Sequence, residues 1–532
     1  MLLPKIRVAV AAALLSLAAC KGDPSTPEHW EKKLSSAKRP RDKARVLEEL
    51  RESGMLTPAF TPMLDAQLEK EKLPEAKAGI AKLLGSLKQP SSVGPLVGAI
   101  DFGTPDASGN AMNREIANAL ARIGDPQAVA PLVRLLASRD PYTRIEAISA
   151  LGALRAKAAV EPLIEITADE RAEPFILKKA IQALGDIGDP RAVTALVPLL
   201  FKEKKGVTFY VESSFALFQI GRPASDALLA VLRGEDKKLL SWAQQNSVLT
   251  PAIYAKAAQL AGDFRDRRAE QMLISQLGFS SEFVDLQLFV RMRAADALGR
   301  LRSAAAVEPL AGMLGEEDPQ AREEYIRALA RIGKREAIPA LLKAASGPSW
   351  EQREGGALGL ALLGDGREVT ALEKLTAEEP RKTSAECSAD KSAQGCANPE
   401  ELAKTHISIL GRKIKVLQVA ASCRGEAACW TKHLDGDDSV LRERAALEIG
   451  RSKQPGQAAE LVKRVGEKNL EVRLALIQAA TWLMDDTGEA ARSTSLVPLI
   501  DKQLAADQGK TEFVRVNEDL RRLAVELKRQ QA

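Results

Sequence analysis

ALARIGDPQAVAPLV (Ala119–Val133), ALGALRAKAAVEPLI (Ala150–Ile164) and ALGDIGDPRAVTALV (Ala183–Val197) are one phrase written three times. It returns as ALGRLRSAAAVEPLA (Ala297–Ala311) and ALARIGKREAIPALL (Ala328–Leu342). The Leu of each phrase marks a column: Leu120, Leu151, Leu184 and Leu217, then Leu298, Leu329 and Leu360, and later Ile449 and Ala480. Within each run the steps are 31 or 33 residues. A fixed period in the thirties with two apolar segments per period means stacked helix pairs. One such pair cannot bury its apolar face alone, so the stack is itself the fold. The expected class is all-α, an α-solenoid.

Inside a unit, Val129, Leu132, Leu135 and Leu136 follow the spacing of one helix face. Asp140-Pro141 then opens a second helix, with Asp as N-cap and Pro at the first helical position. Ile145, Ile148 and Leu151 are its apolar stripe, and small residues at Ala147, Ala150 and Gly152 allow close helix approach. These residues resemble the HEAT repeat family, in particular the short bacterial HEAT-like repeats first associated with phycobilisome lyases. The resemblance covers roughly residues 75–375 and 437–500 and implies a binding scaffold. The period is stretched between Leu217 and Leu298 and again between Leu360 and Ile449.

The N-terminus reads as an export signal. Lys5 and Arg7 precede a short apolar run, Val8 to Leu17, which ends in Leu17-Ala18-Ala19-Cys20. That ending resembles the bacterial lipobox, which implies a signal peptide over 1–19 and a covalent lipid on Cys20, with no other cofactor. Two or three acyl chains, at about 0.8 kcal/mol per buried methylene, would hold the chain on a membrane. Lys21 follows in place of the Asp that resembles an inner-membrane retention signal, so the expected location is the cell envelope, at the outer membrane and facing either the periplasm or the cell surface. Residues 20–40 are polar and contain three prolines, which reads as a flexible tether. The solenoid is expected over 41–375, a polar Cys-containing insertion loop over 376–398, and further repeats with a capping helix near Leu520–Lys528 over 399–532.

Composition narrows function. Removing Lys5 and Arg7 lowers the formal charge from +5 to +3, with 28% charged residues of nearly balanced sign. This is a solvated surface and not a nucleic-acid footprint. Three histidines occur (His29, His406, His433), none in a metal-ligand spacing, and there is no phosphate loop or nucleophile elbow. The expectation is a non-enzyme without a metal: a lipid-anchored scaffold or adaptor for envelope proteins. A lyase-type enzyme or maturation factor is the alternative, and a mechanical spacer in an outer-membrane complex is another.

Three groups of residues stand out as candidates. Four cysteines beyond Cys20 (Cys387, Cys396, Cys423, Cys429) lie in or beside the irregular region, and short loops favour disulfides 387–396 and 423–429. The rival is a zinc site from all four thiolates, or from some of them with His406 or His433. Its spacings of nine and six exceed the usual two to four. The stretch 201–289 holds 11 of the 21 aromatic residues. Tyr210, Trp242, Phe279 and Phe283 are expected at loops or helix ends there, as a partner surface. An arginine recurs seven residues before the marker, at Arg144, Arg291, Arg322, Arg353, Arg442 and Arg473. Three of them have an Asp four residues earlier (Asp140, Asp318, Asp438), and a structural ladder, by pairing with that Asp or by bridging to the next repeat, accounts for this column best. A guanidinium stripe at Arg291, Arg322 and Arg353, beside the aromatic stretch, would instead bind a partner.

Overall fold

The computed structural model describes residues 23–316, 318–454, 456–487 and 494–529. Residues 1–19, read above as an export signal, and Cys20 lie outside them. The chain divides into two compact units, one ending at Ile220 and the other starting at Gly221, and each is a stack of helix pairs.

Each period is built the same way. In the first unit Gly124 adopts φ 81° and ends one inner helix. The Asp125 carboxylate accepts from the Gln127 amide, and Pro126–Ala128 forms a short 3-10 turn. The outer helix Val129–Leu135 follows, then Asp140 accepts from the Thr143 amide and starts the inner helix Pro141–Ala153. The marker residues are shut away from solvent: Leu120, Leu151, Leu184, Leu217, Leu298 and Leu360 are 0% exposed.

The Gly after the marker has a steric cause. A Cβ on Gly152 would lie 3.1 Å from the Cα of Ala183, and one on Gly262 would lie 2.6 Å from the Cα of Ala297. The Ala before one marker therefore presses on the Gly after the previous marker. The Ala-Leu-Gly phrase encodes a close backbone approach between successive inner helices.

Two expectations change here, and a third feature is new. The tether over 20–40 contains a helix, Pro27–Ser36, because Trp30 and Leu34 find a buried face and the Trp30 indole donates to the Pro24 carbonyl at 2.7 Å. The insertion over 376–398 is mostly helix: Val369–Ala389 runs unbroken through Pro380, and the loop shrinks to 390–398. Its buried face is Leu372, Glu379, Thr383 and Cys387, so a hydropathy pattern could not show it. The aromatic stretch also holds the two-residue strands Glu203–Lys204 and Val207–Thr208, paired around Lys205 (φ 52°) and Gly206 (φ 73°). Lys204 Nζ pins this hairpin by donating to the carbonyls of Glu170 and Ala172, each at 2.7 Å.

In the second unit the stack turns back on itself. The inner helices Thr250–Phe264, Val284–Arg300 and Pro319–Ile332 meet the later inner helices Ser439–Arg451, Leu470–Thr487 and Val514–Arg529. The Trp482 indole donates to the Arg300 carbonyl at 3.2 Å, across 182 residues of sequence. Among the described residues, no single helix is long and apolar enough to cross a membrane.

Candidate functional site

The face-to-face packing of the second unit is lined by charges. Arg300 is 8% exposed and donates to Asp296 at 2.9 Å and to both oxygens of Asp519 at 3.2 and 3.1 Å. Arg331 reaches Asp296 at 3.0 Å and Glu324 at 2.8 Å. Arg515 holds Asp263 at 2.7 Å, and Arg522 lies 3.1 Å from the same carboxylate. Arg327 pairs with Glu443, and at the rim Arg265 pairs with Asp485 and Glu526, and Arg302 with Asp486. Burial opposes ionisation of Asp296 and Asp519, yet the surrounding arginines win and hold both carboxyls below their ordinary value. Glu518 goes the other way, raised by burial despite Arg522 and Arg515. A cavity of about 30 Å³ remains, lined by Gln478, Trp482, Asp519 and Arg522 among others. That is room for one or two waters, not for a substrate.

This geometry bears on the scaffold reading and on the capping helix. The inner face of these repeats is occupied by the chain's own C-terminal repeats, so among the described residues it is not an open concave surface. The last helix is also not a plain solvated cap, because Arg522 is 4% exposed within the charge network while Arg521 and Lys528 are exposed.

Four of the six arginines in the column, Arg291, Arg353, Arg442 and Arg473, bridge to the next repeat. Arg353 is 1% exposed and grips Glu379 at 2.6 and 2.9 Å, with Glu386 as a further partner. Arg442 takes Glu467 at 3.0 Å, and Arg473 takes Asp507. Arg291 donates to the Phe279 carbonyl at 2.9 Å and lies 3.9 Å from Glu316. These carboxylates fall 25 to 34 residues onward, in the next repeat. Arg322 and Arg353 are buried, so the three arginines do not form an exposed stripe for a partner.

The aromatic candidates separate by environment. Phe279 and Phe283 line one groove of about 840 Å³ with Leu240, Leu249, Pro251 and Tyr254. The Tyr254 and Phe279 rings lie 5.7 Å apart. Leu249, Phe283 and Val284 are 43%, 42% and 63% exposed, a cluster of apolar side chains open to solvent. Trp242 is half-buried within the helix Lys237–Gln245 and does not line the groove, while Tyr210 is half-buried at the start of Tyr210–Ile220 in the first unit. The groove forms because Leu249 and Phe283 are the N-cap residues of Thr250–Phe264 and Val284–Arg300. Both caps point outward, so an apolar residue there stays exposed. Leu249 and Val284 carried no aromatic signal and were missed, although an apolar N-cap is legible once the helix starts are known.

Cys387 is joined to Cys396 and Cys423 to Cys429, with Cα–Cα distances of 5.1 and 5.4 Å. His406 is buried elsewhere: its ring stacks on Trp350 at 3.6 Å, and Nδ1 lies 3.1 Å from both Glu379 and Thr383.

Comparison with known proteins adds to the geometry. HEAT repeats are matched at residues 61–140, 134–209 and 311–386, and a PBS lyase HEAT-like repeat at 290–315. The phycocyanobilin lyase subunit alpha of Synechococcus elongatus is 36% identical over 83 residues, 15% of this chain and 30% of the relative. The bilin biosynthesis protein PecE of Mastigocladus laminosus is 37% identical over 91 residues, 16% of this chain and 31% of the relative. The matches thus span about a third of those relatives' length. Among solved structures, the complex of CpcE and CpcF of phycocyanin lyase from Nostoc covers 52% of this chain and 95% of its own, at 20% identity and a TM-score of 0.28. Importin beta covers 94% of this chain and 72% of its own, at 11% identity and a TM-score of 0.44. The expectation of a non-enzyme is corrected by these relatives, which are a lyase subunit and a bilin biosynthesis protein. The chain is an all-α solenoid that carries HEAT repeats, one of them of the phycobilisome-lyase type.

Proposed function

We propose that this chain is a lyase-type enzyme subunit or maturation factor, anchored to the cell envelope through a lipid on Cys20. It grips a client polypeptide at the apolar groove of Leu249, Tyr254, Phe279 and Phe283, and it assists the joining or release of a covalent group on that client. The observation that carries this reading is the 36% identity to a lyase subunit over 83 residues. The groove supports it physically. Exposed apolar side chains around a concavity of this size favour a bound chain over water, and aromatic residues contribute most to such contacts.

The test places a photo-crosslinker at Phe283 in membranes and identifies the captured client by mass. The client is then weighed intact from cells with and without this protein. A client whose adduct depends on the protein supports the reading. A client of identical mass in both overturns the lyase-type part, and absence of any capture overturns the groove.

A further inference from the structure

We infer that Cys423, Cys429 and His433 form a redox-gated metal site, which takes a zinc ion when the disulfide between the two cysteines is reduced. The three residues belong to one turn of chain. Cys423 is the last residue of the helix Pro399–Cys423. The backbone reverses through Arg424 (φ 43°) and Gly425 (φ 83°), and Cys429 follows in the short helix Ala427–Thr431. His433 comes four residues later, its amide donating to the Trp430 carbonyl at 2.9 Å. The two sulfurs and a ring nitrogen of His433 all lie within 4.8 Å of one another. Cys423 is buried while Cys429 and His433 are half-buried, so the cluster has a closed floor and an open side. Exposed Glu426 and Asp437 lie close by in sequence and add negative charge.

The donor set fits zinc. Two thiolates and an imidazole are its ordinary ligands, and three of them leave a fourth tetrahedral position for water. Zinc–sulfur bonds of about 2.3 Å at a tetrahedral angle put the sulfurs roughly 3.8 Å apart. The sulfurs must part from disulfide contact to that distance, and with the Cα atoms of Cys423 and Cys429 5.4 Å apart, rotation of the two side chains can supply it. The reduction balances as a thiol exchange. A dithiol reductant gives two electrons and two protons, the sulfur–sulfur bond breaks into two thiols, and the reductant becomes a disulfide. Zinc then displaces the two thiol protons to solvent.

The full chain is titrated with Co²⁺ as a spectroscopic stand-in for zinc, with and without prior reduction, and bound metal is competed off with Zn²⁺. A variant with Cys387→Ser and Cys396→Ser isolates the second disulfide, and far-UV circular dichroism follows the fold. The reduced chain is expected to bind one equivalent with sulfur-to-cobalt charge-transfer absorption, and the oxidised chain none. His433→Ala leaves the oxidised chain folded and should weaken binding at least about tenfold, the scale of losing support at a metal ligand. The idea is overturned if the oxidised chain binds equally, if the folded reduced chain binds no metal, or if His433→Ala binds as the parent does. Binding that appears only after the helices are lost also overturns it, since unfolded thiols would then be the ligands.

Discussion

Replacing Gly262 with Ala tests the close approach that defines the repeat. Inside a helix this change ordinarily stabilises by about 0.5–1 kcal/mol, because Gly loses more conformational freedom on folding. Here the new Cβ would lie 2.6 Å from the Cα of Ala297 and 2.7 Å from its Cβ. Those atoms are fixed to the backbone, so the two inner helices must move apart, and overpacking of this kind costs about 1–3 kcal/mol. The clash wins, and a net loss of roughly 0.5–2 kcal/mol is expected from the difference. Gly411 is the control in the same unit. It sits within Pro399–Cys423, and a Cβ added there would meet nothing within 4 Å, so Gly411→Ala should gain about 0.5–1 kcal/mol. Hydrogen exchange is the assay, because stability in a repeat array is local and a single unfolding midpoint would blur it. Protection should fall in Thr250–Phe264 and Val284–Arg300 for Gly262→Ala and rise or hold around Gly411. Adding Ala297→Gly should recover only part of the loss, since the backbone of residue 297 still stands against the new methyl group. If Gly262→Ala stabilises as Gly411→Ala does, the close-approach argument is wrong.

Arg300→Ala would take from Asp296 and Asp519 one of the two cations they share, Arg515 being the other, and should cost about 3–5 kcal/mol, read as lost protection in Val284–Arg300 and Val514–Arg529. A loss under about 1 kcal/mol, typical of exposed pairs, would show that the network contributes little. The same network sets a pH profile. Asp296 and Asp519 are held below their ordinary 3.8, so their contribution is present above that pH and is lost as pH falls through the lowered values. Glu518 is raised above 4.5, so its contribution is full below 4.5 and is lost as pH rises through the raised value. Urea unfolding of the second unit should therefore be most resistant at mildly acidic pH, and Glu518→Gln should flatten the decline toward neutrality. Phe283→Ala should weaken client capture with little change in thermal midpoint, because the side chain is exposed. Trp242→Ala, half-buried and outside the groove, should lower the midpoint without that selective loss of capture. Cys20→Ser should move the chain from the membrane fraction or leave it unprocessed, and normal membrane association of the variant would sink the lipid anchor.

Legibility followed the chemistry of each contact. Wherever a repeat is held by apolar or small side chains, the chain announces it: Leu151 and Leu184 mark buried sites, Ala183 and Gly152 mark close approach, and Asp140-Pro141 marks a helix start. The reading failed where charged residues do the packing. Glu379 and Thr383 are buried with Arg353 and His406, so the helix Val369–Ala389 carries a polar face that reads as a loop. Asp263, Asp296, Arg300 and Asp519 look like solvated helix surface in one dimension, because nothing local reports that the Arg300 guanidinium will meet the Asp519 carboxylate 219 residues away. Pairing of this kind is specific in a way that an apolar stripe is not. Trp482 would bury against many surfaces, whereas Arg300 needs Asp519 at a fixed place to offset its own desolvation. The charge network therefore selects which repeats meet, and it closes the inner face that a linear reading leaves open. The exposed groove at Leu249 and Phe283 is then an apolar surface of the second unit that the chain's own repeats have not covered.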